Sequence, residues 1–164
     1  MPEVRRGARI GIDVGSVRIG VARCDPSGML ATPVATLKRT PREDQIAEIT
    51  EIVTEAEAIE VVVGLPRSLS GAEGRAAKDV LAYASRLAHA VRPVPVRLVD
   101  ERLTTVTAHQ ALTRSGRSGR TQRQVVDQVA AVLILQNALD TERGTGSPAG
   151  TLLETDRGGE EEIP

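Results

Sequence analysis

The sequence predicts an α/β fold, with a mixed five-stranded sheet covered by helices on both faces. Three strand-like segments follow one another over residues 8–37, and helical and strand-like segments then alternate as far as residue 140. The segment IEVVVGLP (59–66) is apolar without alternation, which is typical of a central strand covered on both faces. A length of 164 residues favours one domain with a sizeable core.

The first three segments predict antiparallel strands joined by tight turns. In ARIGIDVG (8–15) isoleucines alternate with other residues, which is the period of two of a strand, and Asp13 falls on the face opposite the isoleucines. VRIGVARC (17–24) predicts the second strand. Proline and glycine in DPSG (25–28) favour a turn, after which MLATPVATL (29–37) predicts the third strand.

Helices and parallel strands are predicted after residue 38. Thr40-Pro41-Arg42-Glu43 resembles a capping box that starts a first helix, and a second helix follows Ser70. The buried side chains expected on the first helix are Ile46, Ile49, Val53 and Ala56; those on the second are Ala77, Val80, Leu81, Ala84, Leu87 and Ala88. PVRLVDER (95–102) predicts the last strand, and two more helices are predicted at 103–116 and 124–140.

The composition excludes several classes of protein. Tyr83 is the single aromatic residue, so base recognition by aromatic stacking is effectively excluded. Cys24 is the one cysteine and is expected to be a buried apolar side chain, and the two histidines offer no spacing for zinc ligands. Since no apolar run is long enough for a signal peptide or a membrane span, we expect a cytoplasmic protein with no membrane partner.

Charge is unevenly distributed along the chain. Residues 141–164 contain six acids and two arginines, so their net charge is −4. Since the whole chain carries −1, residues 1–140 carry +3. This segment is also rich in glycine and is expected to be an acidic disordered tail. We therefore predict a flexible N-terminus at 1–8, a folded domain at 9–140 and a disordered tail at 141–164.

Three acids stand out because each falls where a carboxylate needs a partner. Asp13 lies in an apolar strand, Glu101 lies at the end of a later strand on the face of Val99, and Asp127 shares a helix face with small residues. Their oxygens are a suitable set for one or two Mg²⁺ or Mn²⁺ ions. The alternatives are a structural ion pair between Asp13 and an arginine, and a solvated acid at position 101.

Four motifs follow one another along the chain: DVGSVRIGVA (13–22), VVVGLPRSLSGAEG (61–74), LVDERLTT (98–105) and VDQVAAVLILQ (126–136). Together they resemble the YqgF family of RuvX-like nucleases, within the ribonuclease H-like superfamily, and the resemblance covers residues 9–140. It implies a ribonuclease H-like fold and a nuclease that trims the 5′ end of pre-16S ribosomal RNA. Some members of the family are described as Holliday junction resolvases. The acidic residues of the family fall on Asp13, Glu101 and Asp127, as catalytic residues and metal ligands.

Arginines are concentrated between the second and third acids. The stretch 102–126 contains no acid, and its five arginines are Arg102, Arg114, Arg117, Arg120 and Arg123. With Arg18, we expect them to bind the phosphate backbone of a nucleic acid. The alternative is a solvated basic loop.

The sequence therefore predicts metal-dependent hydrolysis of phosphodiester bonds, leaving 5′-phosphate and 3′-hydroxyl ends. The first alternative is a Holliday junction resolvase in DNA recombination and repair, and a further one is a non-catalytic RNA-binding factor. An actin-like ATPase or a sugar kinase would need a second lobe, for which 164 residues leave no room. Because aromatic interface anchors are lacking, we expect a monomer or a weak homodimer.

Overall fold

The structure is a computed structural model that describes residues 5–66, 71–100 and 119–154, with side chains described except at 71–73 and 119–127. The strands are β1 (Arg9–Val14), β2 (Arg18–Cys24), β3 (Ala31–Lys38), β4 (Glu60–Leu65), β5 (Val96–Asp100) and β6 (Thr151–Leu153); the helices are α1 (Gln45–Ala56), α2 (Gly71–Val91) and α3 (Gly119–Thr145). The helix predicted at 103–116 lies outside the described residues.

The strands form one mixed sheet in the order β3-β2-β1-β4-β5-β6. β1 pairs antiparallel with β2, and β2 with β3, whereas β1, β4 and β5 are parallel. The predicted α/β class with three antiparallel strands followed by parallel ones is therefore confirmed. The sheet has six strands where five were expected, because β6 adds to β5 in antiparallel orientation.

Ordered structure continues past the expected boundary at residue 140. α3 runs on to Thr145, and Arg97 then binds the carbonyl oxygens of Ala149 and Gly150 with its guanidinium group, at 2.8 and 3.1 Å. Gly150 has a φ of 73°, and a Cβ there would overlap the carbonyl oxygen of Leu98. The glycine content that favoured disorder thus includes a turn that leads into β6, and the expectation of disorder is wrong for 141–154. Residues 155–164 lie outside the described residues.

The end of the predicted flexible N-terminus is also packed. Arg5 forms an ion pair with Glu142 at 2.6 Å, and the Gly7 amide donates to the carbonyl oxygen of Pro26 at 2.7 Å. Ala8 is buried. Residues 5–8 are therefore part of the folded domain, and only 1–4 fall outside the described residues.

Helices cover both faces of the sheet, as predicted. Ile10 and Ile12 of β1 belong to one apolar cluster with residues of α1 and α2. On the other face, Cys24 belongs to a second cluster with α3, in which Ala131 and Leu135 are fully buried. The expectation that Cys24 is a buried apolar side chain is confirmed.

Two local predictions were wrong. α1 begins at Gln45 with Asp44 as its N-cap and no side-chain capping bond, since Glu43 has a φ of 56° and binds Arg86 of α2 instead of closing a capping box. On α2, Leu81 is 38% exposed and the buried position belongs to Tyr83. The first error arises because the partner of Glu43 lies 43 residues further along the chain.

Helices of a length and hydropathy suited to crossing a membrane do not occur in the described ranges.

Candidate functional site

Asp13 lies near the carboxyl end of β1, on the face of the sheet that α3 covers. The two preceding residues on that face contact α3: Arg9 pairs with Glu142 at 3.0 Å, and a Cβ added to Gly11 would lie 2.7 Å from the Cβ of Leu135. Because side chains alternate along a strand, Asp13 projects to the same side. Its side chain is half-buried.

Glycines flank Asp13 in both neighbouring strands. The antiparallel register pairs Asp13 with Gly20 of β2. The parallel register pairs Ile12 with Val63, so that Gly64 of β4 follows alongside Asp13. Residues side by side in a sheet face the same way, and neither neighbour has a side chain. Neither neighbouring strand therefore places a side chain beside the Asp13 carboxylate, and both glycines are buried.

The contacts between β1 and α3 also locate Asp127. Arg9 pairs with Glu142 near the end of α3, whereas Gly11 lies against Leu135 and the carbonyl oxygen of Ala131. The carboxyl end of β1 thus runs toward the N-terminal half of α3, where Asp127 lies one helical turn before Ala131. Its side chain is outside the described set.

Glu101 directly follows β5 and is outside the described residues. Val99 belongs to the apolar cluster under α3, and Leu98 packs against the cluster on the opposite face. Side chains therefore alternate between the two faces of the sheet along the end of β5. β1, β4 and β5 are parallel, so their carboxyl ends share one edge of the sheet. Asp100, at the end of β5, is exposed.

Asp13 is therefore the one predicted ligand whose side chain the structure describes. Within the described ranges, no three histidine, cysteine, aspartate or glutamate side chains come together as a metal-binding group. The set of Asp13, Glu101 and Asp127 remains a prediction.

The turn after Asp13 is fixed from the opposite face of the sheet by Arg39. The Gly15 amide donates to the carbonyl oxygen of Arg18 at 2.9 Å, which closes the β1–β2 turn. The Arg39 guanidinium donates to the carbonyl oxygen of Gly15 at 3.1 Å. The backbone amide of Arg39 donates to the carbonyl oxygen of Val17 at 2.8 Å. This residue thus ties the end of β3 to the turn that follows Asp13.

Arg39 is itself held by α2. Its guanidinium binds both carboxylate oxygens of Asp79, at 2.7 and 2.9 Å, and lies 4.9 Å from the centre of the Tyr83 ring. The hydrogen bond from Arg39 lowers the pKa of Asp79 below its usual range, so the pair stays ionised at neutral pH. Sequence reasoning missed Arg39 because its partner lies 40 residues further along the chain.

Among the predicted phosphate-binding arginines, Arg18 is described and half-buried at the start of β2. Arg120 and Arg123 lie in the first turns of α3, but their side chains are outside the described set. Arg102, Arg114 and Arg117 fall outside the described residues altogether.

Comparisons with known proteins agree with this architecture. A profile of the family described as "RuvX: Holliday junction resolvase" matches residues 7–141. A protein of Nocardioides sp. named "Putative pre-16S rRNA nuclease" is 58% identical over 156 residues, which cover 92% of this chain and 99% of that protein. A protein of Streptomyces coelicolor with the same name is 54% identical, covering 93% of this chain and 92% of its own.

Solved structures also resemble this chain in fold. The Thermus thermophilus RuvC chain in complex with a Holliday junction substrate aligns with a TM-score of 0.52 at 17% identity, over 87% of this chain and 99% of that chain. That likeness confirms the predicted ribonuclease H-like architecture. With the profile match over most of its length and relatives more than half identical, the chain belongs to the RuvX family.

Proposed function

We propose that this chain is a metal-dependent nuclease that hydrolyses phosphodiester bonds during 5′-end processing of pre-16S ribosomal RNA. The observation that carries the proposal is Asp13, a half-buried carboxylate beside two glycine positions. It lies at the edge of the sheet where β5 leads to Glu101, and beneath the half of α3 that contains Asp127. The names of the relatives support ribosomal RNA as the substrate.

A divalent ion fits the chemistry of these residues. Carboxylate oxygens are the donors that Mg²⁺ and Mn²⁺ prefer, and the neighbouring positions Gly20 and Gly64 add no side chain beside Asp13. When bound, one or two such ions lower the pKa of water and neutralise charge on the reacting phosphate. Asp13, Glu101 and Asp127 are the residues proposed to hold them.

The remaining residues bind and orient the substrate. Arg18 lies on the face of Asp13, one strand away, where its guanidinium can bind a phosphate oxygen. The arginines of 102–123 are proposed to bind the phosphate backbone beyond it. Arg39 keeps the turn after Asp13 in place without touching the substrate.

Holliday junction cleavage is the second candidate, because the family description names it. A non-catalytic RNA-binding factor is disfavoured, since a half-buried carboxylate on the binding face would repel phosphate unless a cation lay between them.

The test compares acid variants on two substrates. Asp13→Asn, Glu101→Gln and Asp127→Asn should each lower cleavage of a pre-16S RNA fragment by about 100-fold or more, leaving folding intact. Asp140→Asn is the matched control, because Asp140 lies exposed on α3 and binds Arg143. The RNA products should carry 5′-phosphate ends.

Metal binding is measured separately from activity, by the shift in melting temperature that Mn²⁺ produces. Asp13→Asn should need at least about 10-fold more Mn²⁺ for half of the shift. Wild-type rates in all three acid variants would refute the proposed site. Cleavage of a four-way DNA junction with no cleavage of the RNA would favour the second candidate.

A further inference from the structure

Lys38, the last residue of β3, lies on the same face of the sheet as Asp13. β3 pairs antiparallel with β2, and the register places Lys38 opposite Arg18 and Leu37 opposite Ile19. Leu37 and Ile19 belong to the apolar cluster under α1 and α2. Their neighbours Lys38 and Arg18 must therefore project toward the other face.

On this face of the sheet, β2 lies between Asp13 on β1 and Lys38 on β3. Asp13 is paired with Gly20, and Gly20 with Thr36, so the row beside the carboxylate has one bare position and one small polar residue. At a strand spacing of about 4.8 Å, β3 lies ~10 Å from β1. A nucleic acid strand covers that distance in about three nucleotides, at ~3.4 Å for each.

The charge of Lys38 is available to a ligand. Its side chain is exposed, and among the residues that the structure describes it has no ion-pair partner. The next residue, Arg39, turns to the opposite face and pairs with Asp79. β3 is the outermost strand on this side of the sheet, so no further strand covers the lysine.

We propose that Lys38 binds a backbone phosphate of the substrate strand about three nucleotides from the cleaved bond, next to the phosphate bound by Arg18. This inference rests on the proposed nuclease function. It adds Lys38, at the edge strand β3, to the arginines that are proposed to bind the phosphate backbone. The alternative is that Lys38 only discourages pairing of the edge strand with other chains.

The sequence contains two lysines, which makes a direct test possible. Lys78 is also exposed, but it lies on α2 in the layer behind the sheet, and serves as the matched control. Acetylation of both lysines is followed by mass spectrometry, with and without a single-stranded RNA, in a chelator that prevents cleavage. We expect the RNA to slow acetylation of Lys38 at least about threefold and to leave Lys78 unchanged.

A second measurement uses the variants Lys38→Ala and Lys78→Ala. Lys38→Ala should reduce the slope of the logarithmic salt dependence of RNA binding by about 0.7. It should also raise KM with little change in kcat. Lys38→Arg should restore the salt dependence and the KM of the wild type. Equal acetylation of Lys38 with and without RNA, or equal salt dependence of the two alanine variants, would overturn the inference.

The two proposals can fail independently. Cleavage by the wild type without protection of Lys38 refutes only the assignment of the lysine. Protection of Lys38 in a protein that cleaves no RNA supports the phosphate contact and refutes the proposed RNA cleavage.

Discussion

Glu142, near the end of α3, accepts hydrogen bonds from two arginines at the N-terminal end of β1. Arg9 is 1% exposed and lies 3.0 Å away, and Arg5 binds the other carboxylate oxygen at 2.6 Å. Arg5 also pairs with Glu60 at the start of β4. These charges fix α3 against β1 at the end of the strand opposite Asp13.

The two glutamates of this cluster differ in how they respond to pH. Burial alone would raise the pKa of Glu142, but the hydrogen bonds from Arg5 and the charges of Arg5 and Arg9 hold it below its usual value. Burial raises the pKa of Glu60, and the hydrogen bond from Arg5 with the charges of Arg5 and Arg97 compensates only in part. Glu142 thus adds stability at neutral pH that is lost as the pH falls below about 4. The raised pKa of Glu60 has the opposite sign: ionisation of Glu60 lowers the stability of the folded protein at neutral pH, and this cost is absent at low pH.

We predict that Glu142→Gln lowers the free energy of unfolding by about 3 kcal/mol at pH 7, because it leaves the buried Arg9 without a counter-charge. The loss should stay constant down to about pH 5 and shrink only as the pH falls below about 4. Glu60→Gln, the control in the same cluster, should cost about 1 kcal/mol or less. Urea denaturation at pH 7 and at about pH 3 measures these differences. Equal losses in the two variants would contradict the pairing described here.

At the level of elements, periodicity in the sequence predicted β1 to β5 and the three described helices. It also placed Asp13 on the face opposite the isoleucines, which is the face of α3 in the structure. β6 was missed because three residues in a glycine-rich acidic segment carry no periodic signal. The contact of Arg39 with the β1–β2 turn was missed because Asp79 of α2 positions the guanidinium.

Gly11 determines how closely α3 approaches β1. A Cβ there would lie 2.7 Å from the Cβ of Leu135 and 2.9 Å from the carbonyl oxygen of Ala131, so the helix would have to move. We predict that Gly11→Ala lowers the free energy of unfolding by about 2 to 3 kcal/mol, and that displacement of α3 also slows cleavage.

Gly144 is the matched control for this variant. It lies in the same helix, and a Cβ there would have no neighbour within 4 Å. Gly144→Ala should therefore stabilise the protein by about 0.5 to 1 kcal/mol, since alanine favours helix and loses less backbone entropy on folding. Chemical denaturation compares the two variants. A neutral Gly11→Ala would mean that α3 is not in close contact with β1.

For the molecule as a whole, the edges of the sheet oppose association with a second copy. β3 contains Pro33, which has no amide hydrogen to donate to a partner strand, and β6 has three residues. Large exposed apolar side chains in the described ranges are spread over five separate segments; they are Val17, Met29, Leu30, Val34, Leu81 and Leu152. Scattered apolar residues of this kind are usual on monomeric proteins.

We therefore predict that the protein is a monomer at micromolar concentration and that its RNA cleavage rate per molecule does not depend on protein concentration. One active site suffices to trim an RNA end, whereas symmetric cleavage of a junction needs two sites related by a two-fold axis. Sedimentation velocity across a dilution series, run in parallel with cleavage of both substrates, measures this. Any junction cleavage should then rise more steeply than linearly with protein concentration, since it requires two copies to meet. A tight dimer that makes paired symmetric nicks in junctions and leaves pre-16S RNA intact would contradict both the prediction and the choice of RNA as the substrate.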